Sequence, residues 1–422
     1  MIAASVFLAR SAICAPPDDA HLSLASVLRT VRSHYPALAV GQRRAKAARE
    51  RIPQERAWED PSLTLETNII GDTDQALTLQ QTIPISGRNL SRERIAMAEA
   101  SGAAQELRRT ELEALRDTRV AYFQYAQAKG LLTLNKRNED ILKQLAEASR
   151  AKFESGNQTQ SEVLTAETEL ARNAEARADL ERMESEAVST LNRLMGRLPQ
   201  ETLPPPEEPA ASAPVFDLSS MQAHALRHSP EVQLAKTEVA AAKAKLELAH
   251  RQWIPDPTVG LKARRFIDRP DTEPMDEVAA QVSIGLPWVN HAKYSAGVRE
   301  AEANLAASQA KLRQTEDETR THVRDAIAKA NAFSHHVALF REKILPLSRQ
   351  SLASAQLGFE SNKSTLLDVL NAQRRLRDDE ATALQHLISL HVAIAELDAI
   401  SGEADHSAPV STEATHLQSQ HP

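Results

Sequence analysis

The chain has 422 residues with only 12 glycines and 4% aromatic residues, and Ala, Glu, Leu, Arg and Gln dominate long stretches. This composition excludes a bulky aromatic core and favours long helices packed through small side chains, as in a coiled coil or a barrel of helices. The net charge of −7, with basic and acidic residues interleaved, gives no reason to expect nucleic acid as a partner.

The N-terminal segment is typical of the end of a secretory signal. Ile2 to Ala9 is apolar and small residues lead to Ala15, so we interpret residues 1–15 as a signal peptide. Its basic start is missing, which a start codon assigned too late would explain; a helical or disordered N-terminus is the alternative. Cys14 is the only cysteine, which excludes disulfides, and Ile13 fits lipoprotein processing at Cys14 poorly. The sequence has no uninterrupted apolar run of about 18 residues, so no transmembrane helix is predicted.

The rest of the chain is predicted to contain the same series of elements twice. Each series consists of a helix, two strands, a very long helix, a turn and a long helix. Repeat 1 spans residues 22–196, with strands at about 61–70 and 75–85 and long helices at about 88–151 and 159–195. A Pro-rich exposed linker follows at 197–214. Repeat 2 spans 215–402, with strands at about 257–265 and 278–287, long helices at about 291–356 and 365–400, and a disordered tail at 403–422.

The predicted strands alternate between apolar and polar residues, as Leu63 and Leu65 do with Thr64 and Glu66. Each strand is about ten residues long, which suffices to cross a bilayer as a tilted barrel strand. Trp58, Trp253 and Trp288 each stand outside a strand end beside a proline, as expected at a membrane–water interface; capping of soluble hairpins is the alternative. Four strands cannot close a barrel, so spanning strands would require oligomerisation.

The long helix of repeat 2 carries an apolar seam at spacings of three and four, typical of a coiled coil. Its members are Val323, Ala326, Ala330, Phe333, Val337, Phe340, Ile344 and Leu347. Pro346 lies within this seam, and we expect it to bend an otherwise unbroken helix.

The two repeats match without a gap around the turns. Phe153-Glu154-Ser155-Gly156 returns 206 positions later as Phe359-Glu360-Ser361-Asn362, and both copies run on to a glycine, Gly196 and Gly402. Gly156 and Asn362 are residue types that end helices in a left-handed conformation. The period is too long for a solenoid unit and indicates two copies of a half-protein.

Together these features resemble the TolC family of outer-membrane efflux ducts. The residues that carry the resemblance are Gln81-Thr82-Ile83-Pro84, Gly285-Leu286-Pro287, the repeated Phe-Glu-Ser-(Gly/Asn) and Asp368-Val369-Leu370-Asn371-Ala372-Gln373. The resemblance covers about residues 22–402, and it includes the CzcC-like heavy-metal branch. It implies a homotrimer whose twelve strands form an outer-membrane β-barrel, continued by a long α-helical barrel into the periplasm.

The resemblance also implies partners and a fold-specific placement of side chains. The partners would be outer-membrane lipid, a periplasmic adaptor (membrane fusion protein) and an inner-membrane pump of the resistance-nodulation-division type. Side chains on one sheet face would meet lipid: Leu63, Leu65, Leu77, Ile83, Val282 and Ile284. Those on the other would line water: Glu66, Asn68, Lys262 and Arg264.

In the family a tyrosine, a basic residue and two aspartates narrow the helical tip. Here Phe359 replaces the tyrosine, Ser364 stands at the basic position beside Lys363, Asp368 matches one acid, and Asn371 replaces the other. The first repeat offers Phe153, Glu162 and Thr165 as counterparts. One hypothesis is that a ring of Asp368 with Lys363 sets selectivity at the tip; solvated surface charges are the alternative.

No cofactor, metal site or enzyme is predicted. His335 and His336 diverge by about 100° on a helix, so they cannot share one ion without another chain. The sequence contains no catalytic triad order and no phosphate loop. The predicted function is the exit duct of a tripartite efflux system for small solutes, including heavy-metal ions. A multidrug or type I secretion duct, a periplasmic adaptor and a soluble periplasmic coiled-coil scaffold are the alternatives.

Overall fold

The computed structural model describes residues 21–67, 74–211, 215–266, 276–361 and 363–403. Several predictions fall outside these residues. They concern the signal peptide, which includes Cys14, the separate positions Asn68 and Asn362, and the tail after Glu403. The helices are α1 (Leu24–His34), α2 (Pro36–Arg56), α3 (Arg88–Glu154), α4 (Gln160–Leu194), α5 (Leu218–His228), α6 (Pro230–Arg251), α7 (His291–Leu339), α8 (Leu345–Glu360) and α9 (Leu366–Ser401). The strands are β1 (Ser62–Thr67), β2 (Asp74–Thr82), β3 (Thr258–Phe266) and β4 (Asp276–Ser283). A mainly helical chain with four strands is thus confirmed.

The chain forms two compact units, and each repeat contributes to both. The tip unit consists of Met1–His34, Asp117–Pro214 and Ala330–Ala393, and it contains the turns between α3 and α4 and between α8 and α9. The strand unit consists of Tyr35–Arg116, Val215–Lys329 and Ile394–Pro422, and it contains all four strands.

Prolines set the start of the second helix in each repeat. Pro36 opens α2 directly after α1, and Pro230 opens α6 directly after α5. Proline suits a first helical position because the N–H that it lacks would have no helical partner there. Each repeat therefore begins with two helices that a proline separates.

The long helix of repeat 2 is helical without a gap from His291 to Glu360, but its α-helical geometry is interrupted next to Pro346. A π-helical segment, Phe340–Ile344, separates α7 from α8, and Pro346 lies in the first turn of α8. Proline has no N–H to donate to the carbonyl of Glu342, four residues earlier, so the α-helical ladder breaks at this point. A π turn takes up one extra residue, and it shifts the buried face of the helix by one position.

Each unit has its own apolar core. In the tip unit, Leu142, Leu145, Ala166, Leu352, Phe359, Leu366, Val369, Leu370 and Leu376 form one buried cluster contributed by α3, α4, α8 and α9. In the strand unit, Met221, Ala225, Val323, Ala326, Ile327 and Leu397 form another. Phe359 is the one aromatic side chain in these two clusters, which otherwise consist of aliphatic residues, alanine and methionine, in line with the low aromatic content.

Both repeats end on a glycine packed against the end of their own first helix. In the tip unit Gly196 has a φ of 71° and lies against the carbonyl oxygen of His34. In the strand unit Gly402 has a φ of 81° and lies against the carbonyl oxygen of His228. The duplication seen in the sequence is therefore also a duplication of backbone contacts.

Two buried tyrosines of α3 anchor the predicted exposed linker within the tip unit. The Tyr122 hydroxyl donates to the Leu22 carbonyl at 2.8 Å and accepts from the Glu207 N–H at 3.1 Å. The Tyr125 hydroxyl lies 3.2 Å from the Pro204 carbonyl. Both tyrosines are buried, so their hydroxyls need partners, and the proline-rich linker supplies free carbonyl groups.

Helix α9 is the one described helix that is long and apolar enough, by composition, to cross a membrane. Several apolar side chains in its second half are buried inside the protein: Ile388, Leu390, Ala393, Ala395 and Leu397. Packing against neighbouring helices accounts for this apolar character without a membrane.

Candidate functional site

The four strands form one antiparallel sheet in the order β1-β2-β3-β4. Leu65 lies opposite Leu77, Leu77 opposite Ala263, and Ala263 opposite Val278. Residues paired directly across antiparallel strands project from the same face of a sheet. A row of apolar side chains therefore crosses all four strands.

This apolar face is exposed on the isolated chain. Its large side chains are Leu63, Leu65, Leu77, Leu79, Val259, Leu261, Val278 and Val282. Leu65 is the most exposed, at 73%. A contiguous exposed apolar surface of this kind marks contact with another protein or with lipid. Ile83 and Ile284, which the sequence also predicts to face lipid, each follow immediately after a strand.

The opposite face is polar. The Lys262 ammonium group lies 2.7 Å from the Glu66 carboxylate, across the sheet from β3 to β1. Arg264, Gln80 and Gln281 share this face. The sheet is therefore amphipathic, as the alternation in the sequence predicts, and it can separate an apolar phase from an aqueous one.

The two outer strands leave their edges open within one chain. In the described sheet β1 pairs only with β2, and β4 pairs only with β3. The outer N–H and C=O groups of β1 and β4 therefore have no strand partner among the described residues. Such edges are a template for pairing with another chain.

The three tryptophans lie at one end of the sheet. Trp58 precedes β1, Trp253 precedes β3 and Trp288 follows β4, and in an antiparallel sheet these positions fall at the same end. Trp58 and Trp288 are more than half exposed, whereas Trp253 packs against His291 and Tyr294, with ring centres 5.1 and 5.6 Å away.

Trp58 also lines an open cleft of about 860 Å³ between α2 and the start of α3. Ile83, Pro84, Ile85 and Leu90 contribute to its apolar wall. The predicted interface tryptophans are thus placed together, with two of their indoles available to a surrounding phase.

The first-repeat turn of the tip unit connects α3 to α4. Gly156 has a φ of 77°, the left-handed conformation that the sequence predicts, and its N–H donates to the Phe153 carbonyl at 2.9 Å. The Glu162 carboxylate accepts the Thr159 N–H at 3.0 Å and thereby caps α4. Phe153 is exposed on this turn. Glu162 therefore has a structural role at the helix start.

The second-repeat turn is capped in the same way. The Asp368 carboxylate accepts the Thr365 N–H at 2.9 Å and the Thr365 hydroxyl at 2.8 Å. These two hydrogen bonds, the backbone one first, lower the pKa of Asp368 below its usual range. Lys363 and Asn371 are exposed near this helix start. The matching positions of the two repeats thus carry the same cap, with Glu162 in one and Asp368 in the other.

Phe359 does not lie on the surface of the tip. It is only 6% exposed and belongs to the core of the tip unit. The Lys152 ammonium group donates to the Phe359 carbonyl at 2.6 Å and lies 3.9 Å from the centre of its ring. Lys152 was not predicted from the sequence, because no pattern marks a lysine in the last turn of α3 as the partner of a residue 207 positions away.

A buried polar network lies among α3, α4 and α9 of the tip unit, and the sequence did not predict it. The Asn138 amide donates to the Asn173 side-chain oxygen at 2.6 Å, and the Gln373 amide donates to the Asn138 side-chain oxygen at 2.9 Å. Arg374 lies within 2.5 Å of the buried Glu169 carboxylate. The hydrogen bond from Arg374 first, and then the charges of Arg374 and Arg172, lower the pKa of Glu169 below its usual range. A cavity of about 190 Å³ adjoins the network.

Sequence similarity to known proteins extends over both repeats. The sequence profile of the family described as outer membrane efflux protein matches residues 27–197 and 222–403, one segment in each repeat. The outer membrane efflux protein BepC of Brucella suis biovar 1 is 26% identical over 303 residues, which is 68% of this chain and 63% of BepC. The match therefore spans less than two thirds of BepC.

The cobalt-zinc-cadmium resistance protein CzcC of Cupriavidus metallidurans is 26% identical over 378 residues, 83% of each chain. The solved structure of the outer membrane protein VceC of Vibrio cholerae aligns with a TM-score of 0.75 and 18% identity, covering 90% of this chain and 96% of VceC. At that identity the structural likeness shows a shared fold.

Proposed function

The chain belongs to the outer membrane efflux protein family, lies in the outer membrane and extends into the periplasm, and on this premise we propose that it is the exit duct of a tripartite efflux system. The observation that carries the proposal is the amphipathic four-stranded sheet with two open edges. One face suits lipid and the other suits water, but the edges cannot remain unpaired in a bilayer.

We infer that three copies close these edges. If β1 of one copy pairs with β4 of the next, three copies supply twelve strands, enough for a barrel that encloses a lumen. The apolar face with Leu65 and Leu261 would then meet lipid, and the polar face with Glu66 and Lys262 would meet water. Trp58, Trp253 and Trp288 would lie at one membrane boundary, where indoles are favoured.

The helices would continue the duct into the periplasm. Helix α3 has 67 residues, and at 1.5 Å per residue it measures on the order of 100 Å. The two turns of the tip unit, at Gly156 and after Glu360, would face the periplasmic adaptor and an inner-membrane pump, most suitably of the resistance-nodulation-division type. Narrowing at this tip would involve the helix starts capped by Glu162 and Asp368.

Heavy-metal ions are the proposed exported solutes. The supporting observations are the short sequence between the first two strands, the Ile83-Pro84 and Leu286-Pro287 strand ends, and the match to CzcC over most of both chains. Deleting the gene should raise sensitivity to zinc, cobalt or copper. Sensitivity to a drug panel alone would favour the multidrug duct, and loss of a secreted protein would favour the type I secretion duct.

The test of the duct itself is cross-linking between copies. Antiparallel pairing places the start of β1 beside the end of β4, so we would replace Ser62 and Ser283 by cysteine in a Cys14→Ser background. A short bismaleimide linker should then yield dimers and trimers of the chain, recovered from the outer-membrane fraction.

The matched control carries cysteines at Thr82 and Thr258, which lie opposite each other within one chain with hydroxyls 3.1 Å apart. This variant should cross-link internally and migrate as a single chain. Recovery of both variants as soluble monomers would contradict the duct and favour a soluble periplasmic scaffold.

A further inference from the structure

Two histidines from different helices meet in the tip unit. The rings of His336 on α7 and His386 on α9 have centres 4.7 Å apart and planes inclined by 48°. His335, the sequence neighbour of His336, points elsewhere: its ring is 6.4 Å from that of His336 and nearly perpendicular to it. Adjacent residues on a helix point in different directions, so His335 and His336 diverge. His336 contacts His386 on the neighbouring helix instead.

The spacing of these two rings fits shared coordination of one ion. Two imidazoles bound tetrahedrally through bonds of about 2.0 Å have ring centres on the order of 5 Å apart. The observed 4.7 Å lies close to that separation. Neither ring makes a hydrogen bond to another described residue, so the protein engages none of the four ring nitrogens there.

Two phenylalanines flank His386 on the same side of the tip unit. The ring centres of Phe333 and Phe340 lie 6.1 and 5.2 Å from that of His386. An imidazole nitrogen offers a lone pair to a metal ion, whereas a phenyl ring has no such donor, so the two histidines are the ligating side chains in this group of rings.

We propose that His336 and His386 form a two-histidine binding site for one borderline divalent transition-metal ion, of the class Cu²⁺, Zn²⁺, Ni²⁺ or Co²⁺. Imidazole is a preferred ligand for these ions and a poor one for Mg²⁺ or Ca²⁺. Among the described residues no group of three or more His, Cys, Asp or Glu side chains gathers for a metal, so water completes the coordination. His336 is exposed, and the site exchanges its ion with solvent.

This site does not depend on the proposed function, because binding is measured on the purified chain. The probe is Cu²⁺ added to the untagged, full-length protein in detergent, followed by calorimetry and electron paramagnetic resonance, with Zn²⁺ as competitor. Wild type should bind one Cu²⁺ with a spectrum that reports two nitrogen donors, and Zn²⁺ should displace it.

Three variants decide the assignment. His386→Phe keeps an aromatic ring beside Phe333 and Phe340 but removes the donor, and His336→Phe does the same on α7. Each should weaken Cu²⁺ binding at least about tenfold, the lower end of what even outer-shell changes cost at metal sites. Each should also leave fewer nitrogens in the spectrum.

His335→Phe is the matched control, since it changes the same residue type one position away. It should bind Cu²⁺ as wild type does. Unchanged binding in both His386→Phe and His336→Phe would overturn the site, and so would an equal loss in His335→Phe.

Discussion

Gly402 packs so closely against the carbonyl oxygen of His228 that a Cβ at this position would overlap that backbone atom. Its φ of 81° is also unfavourable for any residue with a side chain. The contact joins the end of repeat 2 to the end of α5 in the strand unit.

Replacing Gly402 by alanine should therefore destabilise the protein more than the same substitution at a glycine that has a left-handed conformation but no close neighbour. The matched control is Gly156→Ala, where φ is 77° but no atom lies within 4 Å of the added carbon. The control should cost about 1–2 kcal/mol, the strain of a left-handed alanine. Thermal unfolding in detergent measures both, and equal midpoints would contradict the predicted clash.

The asparagine network of the tip unit should be sensitive to truncation. In Asn173→Ala, the buried Asn138 amide loses its acceptor, whereas the Asn135 amide keeps the Asn173 main-chain carbonyl at 3.1 Å. Each buried group left without a partner costs about 1–3 kcal/mol. Asn157→Ala, at an exposed turn position, is the control and should have little effect. Urea denaturation compares the two, and similar midpoints would argue against a stabilising network.

Asp368 should couple the stability of the tip to pH. Its pKa is lowered by hydrogen bonds from Thr365, so the cap stabilises the fold above the ordinary Asp pKa of about 3.9. That contribution is lost as the pH falls through the lower pKa of the folded state. Asp368→Asn should thus be less stable than wild type at neutral pH, and the difference in thermal midpoint should shrink in acid. A difference that stays constant with pH would exclude the carboxylate as its cause.

The same variant tests the hypothesis of a charged ring at the tip. Single-channel recordings of Asp368→Asn should show weaker cation selectivity, and Asn371→Asp, which adds an acid one helical turn away, should show stronger selectivity. Unaltered selectivity in both variants would leave Asp368 as a helix cap alone.

The two sheet faces should respond oppositely to a charge. Leu79 and Gln80 are neighbours on β2 that project to opposite faces. If the apolar face meets lipid, Leu79→Arg should cost about 2–4 kcal/mol near the middle of the membrane, whereas Gln80→Arg faces water and should be tolerated. The amount of chain folded in the outer membrane measures the effect, and equal amounts of both variants would contradict the assigned faces.

Sequence reasoning identified the family and the amphipathic strands because both depend on local patterns. The period of two in Leu63 to Glu66 directly encodes which side chains share a face. The resemblance to TolC-like efflux ducts is confirmed by the family match in both repeats. Residue spacing thus predicted the helices and the amphipathic strands, whereas the family followed from the resemblance of the quoted motifs.

The predicted apolar seam of the second long helix is only partly buried. Val323, Ala326, Ala330 and Val337 are buried as predicted, but Leu347 is 64% exposed and the next residue, Ser348, is buried instead. The π-helical segment before Pro346 inserts the extra residue that moves the seam. An ideal helical period cannot anticipate this shift.

The tip could be predicted only in outline. The turn glycine and the helix caps follow from residue types, whereas the burial of Phe359 depends on four helices packing together. The Lys152 contact and the Asn173 network join residues far apart in the chain, so no local pattern reports them.

The tryptophan end of the sheet is also the end at which the four neighbouring helices connect to the strands. Helices α2 and α6 lead into β1 and β3, whereas β2 and β4 lead on to α3 and α7. No described helix adjoins the opposite strand ends, at Thr67, Asp74, Phe266 and Asp276. In the proposed barrel, insertion into a bilayer would therefore carry across only the chain that joins β1 to β2 and β3 to β4, and no flanking helix would need to cross.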